Sequence, residues 1–123
     1  MFAMSSSGSP YARLRRSLDH RSLTNALAAA AELKPLGLTD SLELLLLLSE
    51  HDPARFRRGA LRWHCRYCRE MDEDLEEGQA VLATLAALAT GRKRNAALAL
   101  AELLSRRGLE RACEVLVRWA RQA

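Results

Sequence analysis

The stretch Leu42-Glu43-Leu44-Leu45-Leu46-Leu47-Leu48 constrains the fold more than any other part of the chain. Its last five residues are consecutive leucines, and on a helix they point in every direction. Such a helix is buried on nearly all sides or lies in a membrane. A bilayer span needs about 20 apolar residues, which this run does not reach. The run is therefore expected to be a central core helix wrapped by the others. Asp40 with Glu43 three residues on has capping-box spacing, with Thr39 as an alternative cap, so the helix is expected to start near residue 40. Ser49-Glu50-His51-Asp52-Pro53 closes it, because Pro53 bars the helix from continuing.

The material around this helix is of the same kind. Aromatic residues are only 5% of the chain, and Val, Ile and Thr are scarce. A core built from Leu and Ala favours close helix packing over a sheet. The 123 residues suit one domain, and 28% charged residues is an ordinary soluble composition. Basic residues outnumber acidic ones by 19 to 15, giving a net charge of +4. Only Lys34 and Lys93 are lysines. The arginine excess fits either a GC-rich coding bias of bacterial type or selection for guanidinium forks that grip carboxylates and phosphates. The N-terminus leads into serines rather than an apolar run, and three cysteines is an odd number. A reduced, cytoplasmic protein is the expectation.

Taken in order, residues 1–9 are Ser/Gly-rich and expected to be disordered, followed by a single domain over 10–123. Pro10 suits the first turn of a helix, with Tyr11, Leu14 and Leu18 on one face. Ser22 is expected to cap an alanine-rich second helix over 23–33. The leucine helix is third. Asp52-Pro53 opens a fourth over 53–70. Asp74 caps a fifth, whose apolar residues are Leu75, Val81, Leu82, Leu85 and Leu88. A sixth covers 95–107 and ends on Gly108, a left-handed cap. The seventh runs from 109 to near the end, with Ala112, Cys113, Leu116 and Trp119 on one face. The fold class expected is all-α, about seven helices stacked as antiparallel hairpins around the leucine helix.

Residues 26–50 placed over 97–121 agree at Ala26/Ala97, Leu33/Leu104, Gly37/Gly108, Leu38/Leu109, Glu43/Glu114 and Leu45/Leu116, among others. Half the offset is about one helix–turn–helix repeat. In this respect the chain resembles helical-hairpin repeat modules of the HEAT or armadillo kind, over about residues 22–123. The resemblance is one of architecture; it implies a scaffold or interaction role and carries over no functional residue.

The fourth helix is the most informative surface. Phe56, Ala60, Trp63, Tyr67 and Met71 form one narrow apolar stripe. Arg55, Arg58, Arg62, Arg66 and Arg69 share another face with no acid among them. They are the candidate partner-binding residues, since such a face favours an anionic neighbour. Three kinds fit: nucleic-acid phosphates, an acidic protein surface, or the chain's own run Glu70, Asp72, Glu73, Asp74, Glu76 and Glu77. His64-Cys65-Arg66-Tyr67-Cys68 contains one CxxC. A zinc site needs a second pair of ligands, and a redox CxxC sits at a helix N-terminus rather than mid-helix. Cys68 is expected in the core and Cys65 near the surface. The acidic run lacks the glycine and closing glutamate of an EF-hand. No phosphate loop or nucleophile set is present.

These features favour a non-enzymatic protein-interaction or scaffold module, possibly self-associating, with a protein or a second copy as partner and no membrane. No metal and no cofactor are expected. The alternative is a nucleic-acid-binding or regulatory module using the Arg face. An enzyme or redox protein using Cys65 and Cys68 is a third class.

Overall fold

The computed structural model describes residues 9–33 and 35–122. It holds seven helices among those residues: α1 Pro10–Asp19, α2 Leu23–Ala31, α3 Leu38–His51, α4 Pro53–Glu70, α5 Leu75–Leu88, α6 Lys93–Arg106 and α7 Glu110–Gln122. No strand occurs among them. The segment expected to be disordered lies outside the described residues except for Ser9. Ser9 instead caps α1, its Oγ accepting from the Ala12 N–H at 3.1 Å.

Most ends follow from local chemistry. The Asp52 carboxylate accepts from the Arg55 N–H at 3.2 Å and Pro53 follows it, so α3 stops and α4 starts around one residue. Asp74 caps α5 through the Glu77 N–H at 2.8 Å. Gly108 has φ +80°, and the Gly108 and Leu109 amides donate back to the Ser105 and Leu104 carbonyls at 3.0 and 3.1 Å. That is a Schellman turn, which needs the left-handed residue glycine supplies.

Three boundaries differ from expectation. Ser22 stands at the N-cap of α2 but its side chain makes no capping bond, and α2 ends at Ala31. α6 begins at Lys93 rather than Asn95. Most instructive is α3, which begins at Leu38 with Gly37 as its N-cap. Neither Asp40 nor Thr39 is its cap. The Asp40 carboxylate is turned away, to Arg15 of α1 at 3.0 Å.

That pair belongs to a charge network at the N-terminal half of α3. Arg15 also bonds Glu43 at 2.8 Å, and from α7 Arg111 lies 3.5 Å from Asp40 and Arg118 3.6 Å from Glu43. Asp40 is 8% exposed. Burial works against the Arg15 charge, but its bond to Glu43 and the fields of Glu43 and Asp40 outweigh that and raise its pKa. The cluster clamps α1 and α7 onto α3.

Apolar packing surrounds the rest of α3. Leu47 faces Leu14 and Leu18 of α1 and Ala26 and Ala29 of α2 in a small cluster. Leu42, Leu45, Leu46 and Leu48 face a larger one built from α4 to α7. Helices adjacent in sequence pack as hairpins: α1 on α2, α3 on α4, α5 on α6, α6 on α7, while α3 also lies against α7. The two internally similar segments pack unequally, since α6 and α7 form the closest pair whereas α2 lies mainly on α1.

Leu46 is 1% exposed and Leu47 4%. Truncating either to alanine is expected to cost about 2–5 kcal/mol in urea unfolding, the range for buried leucine. A loss under about 1 kcal/mol at both would show that α3 is not enclosed. Arg15→Ala would remove the hydrogen-bonding partner of two mostly buried carboxylates, leaving them only the longer contacts to Arg111 and Arg118, and is expected to cost about 1–3 kcal/mol; a neutral effect would contradict the clamp.

Candidate interaction surface

The apolar stripe of α4 is buried as its period requires: Phe56, Ala60, Trp63 and Tyr67 face the core and Met71 is half-buried. The Trp63 and Tyr67 rings stack at 5.3 Å, and the Trp63 indole N–H donates to the Leu38 carbonyl at 2.9 Å. These contacts fix the rotation of α4, and with it the direction of every other side chain on the helix.

Arg55, Arg58, Arg62 and Arg69 consequently lie in solvent. Their side chains have no acidic partner among the described residues. Arg66 alone is satisfied, bonding Glu70 one turn on. The acidic run otherwise turns elsewhere. Glu73, with 1% of its side chain exposed, accepts from the Tyr67 hydroxyl and lies 3.6 Å from Arg107. Glu77 faces Arg106 at 4.0 Å. Burial, then the bond to Glu73, push the Tyr67 hydroxyl far above its usual range, so it acts as a fixed donor.

Arg62 and Arg66 border a hollow toward α3, with Ser41, Leu45 and Trp63, while the other flank of α4 carries an apolar groove that sequence reasoning missed. It lies between α4 and α5, has a volume of about 280 Å³, and is lined by Phe56, Arg57, Ala60, Leu61, Leu82, Leu85, Ala86, Ala89 and Thr90. Leu61 is 59% exposed and Leu82 37%. Leu75, expected among the apolar packing residues of this helix, is 73% exposed. The signal was in the spacing. Val81, Leu85 and Leu88 mark the buried face of α5, while Leu75 and Leu82, seven apart, mark a second one. Leu61 likewise falls off the buried stripe of α4.

The cysteines behave as small packing and surface groups. Cys65 is exposed and Cys68 half-buried, and all three cysteines are free. The His64 Nε2–H donates to the Gly78 carbonyl at 2.7 Å, and Cys68 Sγ lies 3.5 Å from that nitrogen. Burial, then Glu73, then Cys65 raise the Cys68 thiol pKa, away from a reactive thiolate. Among the described residues no group of three His, Cys, Asp or Glu is placed to hold a metal ion. Nor is any of their helices long and apolar enough to cross a membrane. A second hollow of about 270 Å³, between α1, α3 and α7, has its arginines engaged: Arg21 with Glu50 and Gln122, Arg118 with Glu43.

No family model, no curated protein and no solved structure matches the chain.

Reversing Arg58, Arg62 and Arg69 to glutamate is expected to leave the thermal midpoint nearly unchanged, since exposed charges each contribute under about 1 kcal/mol. Unfolding of that variant would mean the three are tied to internal acids. With iodoacetamide, Cys65 is expected to react first, and Cys68 more slowly and only at higher pH because its thiol stays protonated longer; peptide mapping of the alkylated chain reads the order, and equal rates would contradict the burial described.

Proposed function

We propose that the chain is a non-enzymatic interaction module that binds a protein partner through the outer face of α4 and α5. The observation that carries this reading is the apolar groove between exposed Leu61 and Leu82, with Arg57 in its lining and no acidic partner for that arginine among the described residues. Covering exposed apolar area is favourable by about 25 cal/mol per Å². Arginine at the border supplies directed, paired hydrogen bonds to carboxylates, a combination common in interface hot spots. A phosphate backbone would use the arginines but gain nothing from the leucines. The acids Asp72, Asp74 and Glu76 at the far end of the same hairpin would also repel it. The arrangement therefore favours a protein over nucleic acid.

Affinity capture from cells that make the protein, comparing the native chain with Leu61→Glu/Leu82→Glu, tests this. The variant replaces exposed side chains and is expected to keep its helical circular dichroism. It should lose at least about tenfold of the captured protein, the factor corresponding to 1.4 kcal/mol. Equal capture by both, or capture only of nucleic acid that nuclease removes, would contradict the reading.

A further inference from the structure

The α4–α5 hairpin is polar along its length in charge as well as in shape. The helices run antiparallel: Phe56 and Arg57 meet Ala89 and Thr90 at one end of the groove, while His64 meets Gly78 nearer the other. At the first end stand Arg57 and Arg58, with Arg92 and Arg94 in the turn after α5 and first turn of α6, all exposed. At the other end Leu75 projects at 73% exposure between Asp72, Asp74 and Glu76, all exposed. None of these seven charged side chains has an ion-pair partner among the described residues.

We propose that the groove is occupied by a second copy of this chain, laid antiparallel across the α4–α5 face, so that Leu75 of each copy enters the groove end of the other and its acidic collar meets Arg57, Arg58, Arg92 and Arg94. The inference rests on the interaction reading above and names its partner. A two-fold axis across the middle of the hairpin makes both contacts at once, because it brings unlike ends together twice. The contact therefore closes as a dimer instead of propagating. Leu75 and Leu82 lie seven residues apart on one side of α5, so the leucine that enters the groove and a leucine of the groove border belong to one continuous surface. The groove, about 280 Å³ and lined mostly by apolar side chains, has room for an inserted leucine. The face is short: α5, with 14 residues, is about 21 Å long. Such an interface is at the small end for proteins and implies a reversible, concentration-dependent dimer.

A charge-exchange experiment in reducing buffer decides the matter. One variant carries Arg57→Glu and Arg92→Glu, the other Glu76→Arg and Gln79→Arg, Gln79 being exposed on α5 one turn on from Glu76. Sedimentation equilibrium of the native chain should show mass rising toward twice the monomer with concentration. Each variant alone places like charges at both contacts, and its dimer should weaken by at least about tenfold. The equimolar mixture places opposite charges at both contacts and should recover to within about threefold of native affinity, which also shows that both variants are folded. A native chain that stays monomeric up to its solubility limit would overturn the second-copy proposal while leaving the interaction reading to the capture experiment. A dimer indifferent to both charge reversals, or two weakened variants that do not recover on mixing, would overturn it as well.

Discussion

Everything in this molecule depends on α3 being enclosed from two sides. A helix carrying consecutive leucines cannot offer one apolar stripe to one core, so the chain supplies two. Leu47 anchors the α1–α2 pair, and Leu42, Leu45, Leu46 and Leu48 anchor α4 to α7. Where α3 is polar, at Asp40 and Glu43, the neighbours answer with charge: Arg15 from α1, Arg111 and Arg118 from α7. The two kinds of contact are complementary along one helix. Apolar burial supplies most of the free energy, and the charge network joins α1 and α7 to α3 at defined points.

This enclosure determines what remains outside. With α3 consumed, α4 packs one stripe inward and leaves the rest to solvent, and α5 turns Val81, Leu85 and Leu88 inward and leaves Leu75 and Leu82 out. Internal demand for the arginines of α4 is low, because Glu73 and Glu77 are held by Tyr67, Arg106 and Arg107. An apolar groove, a free arginine border and a free acidic end thus arise side by side on one hairpin. The Asp74 carboxylate caps α5, and the charged groups at the two ends make no ion pair among the described residues.

How much of this was legible in the sequence depended on the range of the interaction. Asp52-Pro53, Asp74 and Gly108 act within a few residues, and the helix ends they set could be read directly. The burial of the leucine helix was also readable, since no rotation exposes all its leucines. Asp40 was misread as a cap because its true partner, Arg15, lies on a different helix and outcompetes the local amides. Four of the five arginines of the Arg face lie in solvent, while Arg57 and Leu61, which line the groove, stand out only once α5 is placed. α5 carries two apolar faces, and only the placement of α4 and α6 decides which is covered.

Residue-resolved amide hydrogen exchange tests the central claim, the enclosure of α3, most directly. If both clusters depend on it, the amides of Leu45 to Leu48 should exchange only through global unfolding, the slowest in the chain. Those of α1 and α2, held by the smaller cluster, should open at lower free energy. Exchange in α3 as fast as in α1 and α2, or through an opening that leaves α4 to α7 protected, would contradict the account.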